Sequence, residues 1–139
     1  MYTFEQLKED VRKEAEALKV HATSEERAKL DANLLDPTTR TGCIYGGIAD
    51  HCDSPRAIEL ISKCACQYFV DNNFSDIQYD GFERISKHVN GTTVGNLEYK
   101  RHNSDATHYS AIEAYILLPE ANNANLIAFL RGETETLEL

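Results

Sequence analysis

The sequence predicts an α+β fold, in which N-terminal amphipathic helices and a central buried helix pack on a small, mostly antiparallel sheet. Three observations predict it. Helix-start signals and apolar stripes occupy the first half of the chain. Two hairpin-type dipeptides, Asp80-Gly81 and Asn90-Gly91, punctuate the second half. Segment 109–118 spaces Ile112, Ala114, Tyr115, Ile116 and Leu118 in the manner of a strand. Runs of helix followed by runs of strand read as α+β. At 139 residues the chain suits a single domain. It divides into a helical hairpin or arm at 1–36 and an α+β core at 37–139.

The first helix is expected from residue 4 to about residue 20. Thr3 and Gln6 form a capping-box pattern, in which hydroxyl and amide satisfy the orphan backbone donors of a first turn. Phe4, Leu7, Val11 and Leu18 share one stripe, and Glu5, Glu9, Asp10, Glu14 and Glu16 are placed mostly outside it. A second capping box, Thr23 with Glu26, starts a shorter helix carrying Ala28, Leu30, Leu34 and Leu35, which Pro37 ends. Segment 36–53 reads as a long irregular loop, in which Gly42, Gly46 and Gly47 permit positive φ and close backbone approach.

The third helix opens on Ser54 as N-cap and Pro55 as first helical residue. Ala57, Ile58, Leu60, Ile61, Cys64, Ala65 and Tyr68 make it apolar over a wide arc, and Asp71-Asn72-Asn73 stops it. Extended segments are expected at 74–79, 82–89 and 92–101, with 82–89 fitting a helix equally well. Pro119 ends the strand at 109–118. Asn122-Asn123 caps a last short helix that stops at Gly132, and the alternating tail 133–139 reads as an edge strand.

Charge and composition exclude several roles. The formal net charge is −9, from 23 acidic and 14 basic residues. Binding to duplex nucleic acid depends on clustered Lys and Arg that release counterions, so direct duplex binding is not expected. No apolar run approaches the ~18 residues of a membrane span. The polar, acidic N-terminus lacks the basic and apolar regions of a secretory signal. A cytoplasmic protein with reduced thiols is expected. Excess acid favours solubility and also suits an acidic surface that docks on a basic partner.

Segment 41–66 is the best candidate site. It holds all four cysteines and the Gly46-Gly47 pair, and it feeds a capped helix start. Zinc is disfavoured there. Eight residues separate Cys43 from Cys52, whereas structural sites use paired Cys-x2–4-Cys knuckles. Cys64 and Cys66 diverge on a helix, and Cys64 falls on the apolar face as a small buried hydrophobe. Cys52, beside His51 and ahead of the helix, has the setting of an activated thiolate. The string His51-Cys52-Asp53-Ser54-Pro55-Arg56 resembles a phosphatase loop, but that loop needs Cys-x5-Arg, and here the arginine follows too soon.

An anion or nucleotide could use the same segment without chemistry, held by Arg40, Tyr45, Gly46, Gly47, Ser54 and Arg56. Neither phosphate-binding glycine signature is present, and Asp50 and Asp53 oppose an anion. His88, His102 and His108, with Lys100 and Arg101, could cleave RNA by acid–base catalysis, but an acidic chain lacks the cationic groove. No catalytic residue, metal ligand or cofactor is assigned.

The stretches Cys43-Ile44-Tyr45-Gly46 and Cys52-Asp53-Ser54-Pro55-Arg56-Ala57-Ile58-Glu59-Leu60-Ile61 resemble a segment of small uncharacterised proteins of Bacteroidetes phages and mobile elements. The C-terminal run from Leu130 to Leu139 is similar to their ends. The resemblance implies an accessory gene product acting in the host cytoplasm against host defence, by binding and blocking a protein or by sequestering a nucleotide signal. The reading from the residues is a non-catalytic binding protein. Its alternatives are a small-anion or nucleotide binder and a cysteine- or histidine-based enzyme. A homo-oligomer is compatible with the amphipathic N-terminal helices.

Overall fold

A computed structural model describes residues 4–36, 41–52, 54–64, 98–100, 107–116, 118 and 120–139. Helix α1 (Phe4–His21) buries Leu7, Val11, Ala15 and Leu18 completely, because residues three and four apart stack on one face. Its other face carries Glu5, Glu9 and Glu16 in solvent. Thr3 lies outside the described residues. The Thr23–Glu26 box forms as expected. Thr23 Oγ1 accepts from Glu26 N at 3.1 Å and Glu26 Oε1 accepts from Thr23 N at 2.9 Å, opening α2 (Ser24–Arg27). That helix is one turn long. A 3₁₀ turn, Ala32–Leu34, follows it, with Asp31 as its cap. Pro37 lies outside the described residues.

The expected loop at 36–53 contains a helix, α3 (Ile44–Ile48). Gly46 and Gly47 sit inside it rather than in a positive-φ turn. Among the described residues the positive-φ positions are Asp50 and Gly132. Helix α3 forms because Cys43 supplies its cap. The Cys43 sulfur accepts from Gly46 N at 3.2 Å, and Ile44, Tyr45 and Ile48 then turn into the core. Helix α4 (Pro55–Cys64) starts as expected, with Ser54 Oγ accepting from Ala57 N at 3.1 Å, and it buries Ala57, Leu60, Ile61 and Cys64. Residues 65–97, with the Asp71-Asn72-Asn73 stop and both hairpin dipeptides, lie outside the described residues.

The α+β expectation is overturned. The described core is helix packed on helix. Helix α1 packs against α4 and against two C-terminal helices, α5 (Ala111–Ile116) and α6 (Asn123–Arg131). The extended backbone that is described is a ribbon of two three-residue strands. In it β1 (Glu98–Lys100) pairs antiparallel with β2 (Thr107–Tyr109), in the register Tyr99 opposite His108. This is not a sheet on which helices pack.

Segment 109–118, expected as a strand, differs most: Tyr109 ends β2, and Ala111–Ile116 form α5. All six residues of α5 are buried, Glu113 included, so its five apolar residues cover every side and mark no single helical face. The cap decides. Ser110 Oγ accepts from Glu113 N at 3.2 Å, the hydroxyl half of a Ser-x-x-Glu helix start. Helix α6 starts at Asn122 and ends at Gly132 (φ 81°), as expected. The tail forms no edge strand. Its backbone is held by side chains instead, with Arg12 Nη1 donating to Leu137 O at 2.7 Å and Glu138 N donating to Asn125 Oδ1 at 2.6 Å.

Candidate functional site

The six residues proposed from sequence fall in different surroundings. Arg40 lies outside the described residues. Gly46 and Gly47 line a shallow depression of about 250 Å³, with Leu30, Leu35, Gly42 and Cys43 around it. Tyr45, on the same short helix, points the other way, into the core, where it is fully buried. Ser54 is buried in the helix cap, donating from Oγ to Ala49 O at 2.5 Å. Arg56 is committed to the framework. Its Nε and Nη2 each reach a Glu26 carboxylate oxygen at 2.8 Å, Nη1 reaches Glu59 at 2.9 Å, and Nη2 also reaches His21 O at 2.9 Å. Thus the glycines share one depression, and Tyr45, Ser54 and Arg56 do not line it.

The backbone donors expected to cradle an anion are also used within the fold. Gly46 N donates to Cys43 Sγ and Gly47 N to Cys43 O. Gly47 faces Leu30 closely enough that an added Cβ would stand 3.2 Å from Leu30 Cδ2. The approach is close, and the group approaching is a side chain of the protein, not a ligand.

Two buried carboxylates, Glu14 and Glu113, were missed from sequence. Glu14 is buried in the centre of the core. Its Oε2 accepts from Tyr45 Oη at 2.7 Å and Ser110 Oγ at 2.5 Å, and its Oε1 accepts from Ile112 N at 3.1 Å. Burial raises its carboxyl from the ordinary 4.5 to about 7, against the opposing pull of those hydrogen bonds. Burial, with the Glu14 charge beside it, pushes the Tyr45 phenol well above its usual range. Glu113, also fully buried, accepts from Ile44 N at 2.6 Å through Oε1. One carboxylate thus ties α1 to α3 and α5, and the other ties α5 to the start of α3.

A signal for Glu14 was present. Three residues after Val11 and four before Leu18, it lies inside the apolar stripe rather than beside it. Glu113 was legible as the fourth residue of the Ser110 cap.

Cys43, Cys52 and Cys64 are thiols in this structure. Cys64 is buried on α4, where its spacing placed it. Cys43 is buried and hydrogen-bonded to the half-buried Cys52. That hydrogen bond, burial and the nearby Glu113 charge hold the Cys43 thiol far above the usual thiol range. Cys66, the side chains of His88, His102 and His108, and Asp53 lie outside the described residues. Among the described residues, no group of three or more His, Cys, Asp or Glu is placed to hold a metal ion. No helix among them is long and apolar enough to cross a membrane.

Comparison with protein-family models, with curated proteins and with solved structures returns no match to this chain.

Proposed function

We propose that the chain is a non-catalytic binding protein whose acidic outer surface engages a basic partner protein. One observation carries the reading, namely the direction in which charge is turned. The arginines among the described residues spend their guanidinium groups on the fold itself. Arg12 reaches Leu137 O, Arg27 reaches Leu130 O, Arg131 reaches Ala28 O and Leu30 O, and Arg56 reaches Glu26. Glu5, Glu9 and Glu16 on α1 stay outside, Glu5 80% and Glu9 67% exposed, with Lys8 and Arg12 beside the first two. With a net charge of −9, the outer face attracts a cationic surface and speeds encounter with it. A blocking role against host defence is the form of this reading that the phage resemblance favours.

The test is capture from a Bacteroidetes lysate on immobilised protein, run beside the Glu5→Lys/Glu9→Lys/Glu16→Lys variant. A stoichiometric basic protein should be held by the wild type, released by high salt and lost by the variant. Recovery of no stoichiometric partner, or equal recovery by the variant, overturns the reading.

A second reading, a small anionic ligand, rests on the depression beside Gly46 and Gly47. A thermal-shift panel of nucleotides and inorganic phosphate tests it. The absence of any shift removes it.

A further inference from the structure

The fold brings Cys43 and Cys52 together as a hydrogen-bonded pair of thiols. The ten residues from Cys43 to Cys52 fold back on themselves. Helix α3 runs from the Cys43 cap, Ala49 N closes it on Tyr45 O, and Asp50 takes a positive φ of 77°. His51 N then donates to Ala49 O, and Ser54 holds the same carbonyl from the far side. This reversal packs Cys52 against the core that contains Cys43, and the two thiols are hydrogen-bonded.

We propose that Cys43 and Cys52 form a reversible dithiol–disulfide site whose co-substrate is a low-molecular-weight disulfide.

The two sulfurs differ in role because they differ in exposure. Cys52 is half-buried, whereas Cys43 is 2% exposed. A thiolate on Cys52 attacks one sulfur of the small disulfide. The reagent's S–S bond breaks, a mixed disulfide forms on Cys52, and one small thiolate leaves. Cys43 then gives its proton to a departing thiolate and attacks Cys52 Sγ. The mixed disulfide breaks, the Cys43–Cys52 bond forms, and the second small thiol leaves. Both protein thiols are oxidised and one small disulfide is reduced to two thiols, so atoms and electrons balance. The high proton affinity of Cys43, fixed by its hydrogen bond to Cys52 and by burial, makes it the second sulfur to react. A disulfide needs an S–S length of ~2.05 Å and Cβ atoms roughly 3.5–4.5 Å apart, and the Cys43–Cys52 hydrogen bond brings the two side chains together. The bond would staple the cap of α3 to the turn before α4, fixing one wall of the depression that Gly42, Cys43, Gly46 and Gly47 line.

The experiment is equilibration of the full chain in glutathione buffers of rising oxidised fraction, acid quench, and peptide mapping without reduction. The expected result is a Cys43–Cys52 crosslinked peptide, the loss of two alkylatable thiols, and a higher melting temperature that dithiothreitol reverses. Cys43→Ser should stop at a stable Cys52–glutathione mixed disulfide. A Cys66→Ser chain should still form the crosslink. The proposal is overturned if the wild-type map shows Cys52 carrying only glutathione at every ratio. Pairing of either cysteine with Cys64 or Cys66 in its place, or no change in either cysteine, also overturns it. The wild-type map decides even where a variant fails to fold.

Discussion

The Tyr45 hydroxyl donates a 2.7 Å hydrogen bond to Glu14 Oε2, across a sequence separation of 31 residues. The pair sits in the interior with Ser110 on the same oxygen. A carboxyl in such a place is stabilised in its neutral form by burial and in its charged form by its donors, and burial wins, raising it to about 7.

This predicts a pH dependence of stability with a definite sign. The folded-state value lies above the ordinary 4.5. Between these two values the folded chain therefore binds more protons than the unfolded chain. Stability then falls as pH rises through that window, by on the order of 3 kcal/mol for the full shift. Glu14→Gln should remove this slope, since an amide keeps an acceptor for Ile112 N while the two hydroxyls can reorient. Thermal melts at steps from pH 5 to 8 check it. A wild-type melting temperature that is flat over this range, or a slope that survives in Glu14→Gln, would contradict the assignment.

Ser110 holds two roles at once, donating to Glu14 and accepting from Glu113 N. Ser110→Ala removes the cap of α5 and one donor to a buried carboxylate. The loss should be about 2–3 kcal/mol, larger than for an exposed cap. Urea denaturation measures it, and Thr in place of Ser should restore most of the loss. A cost under about 0.5 kcal/mol would show that the α5 start does not depend on this hydroxyl.

How much of this was readable from sequence differs from residue to residue for physical reasons. Thr23 with Glu26, Ser54 with Pro55, and Asn122 with Gly132 were legible because capping is local. The groups that satisfy each other lie within three or four residues and on polar side chains. Segment 109–118 reads as a strand because α5 is buried on all sides, which leaves no single apolar face to mark a helix. Gly46-Gly47 reads as a loop because glycine permits positive φ and close backbone approach. Tertiary packing overrides it, with Leu30 against Gly47 and Ile44, Tyr45 and Ile48 in the core. Arg56 was singled out as a ligand residue because its sequence neighbours are a helix start. Its partner Glu26 lies 30 residues away, and no local pattern exposes such a pairing.

That pairing predicts a measurable titration. Arg56 lowers the Glu26 carboxyl from 4.5 to about 2, mainly through its hydrogen bonds. The sign here is opposite to that of Glu14. The contribution is present above the ordinary 4.5 and is lost as pH falls toward 2. Arg56 is 33% exposed, so solvent screening limits the pair to about 1 kcal/mol. Arg56→Ala should cost that amount at pH 7 and return the Glu26 midpoint, followed by carboxyl-carbon NMR, toward 4.5. A Glu26 midpoint that stays near 2 in the variant would assign the shift to the Thr23 capping box alone.

Two glycines should respond to alanine in opposite directions. Gly132 ends α6 at φ 81°, where nothing lies within 4 Å of an added Cβ. The obstacle is the backbone alone, and Gly132→Ala should destabilise by about 1 kcal/mol. Gly47 lies inside α3, where alanine gains roughly 0.8–1 kcal/mol of helix propensity. Its new Cβ would press on Leu30 Cδ2 at 3.2 Å. Leu30 borders the same depression as Gly47, so its methyl group has room to give by the few tenths of an ångström required. Gly47→Ala should therefore be stabilising, by about 0.5 kcal/mol. Chemical denaturation of both variants beside the wild type gives the two signs. A destabilised Gly47→Ala chain would mean that Leu30 is locked against the glycine and that the depression cannot absorb it.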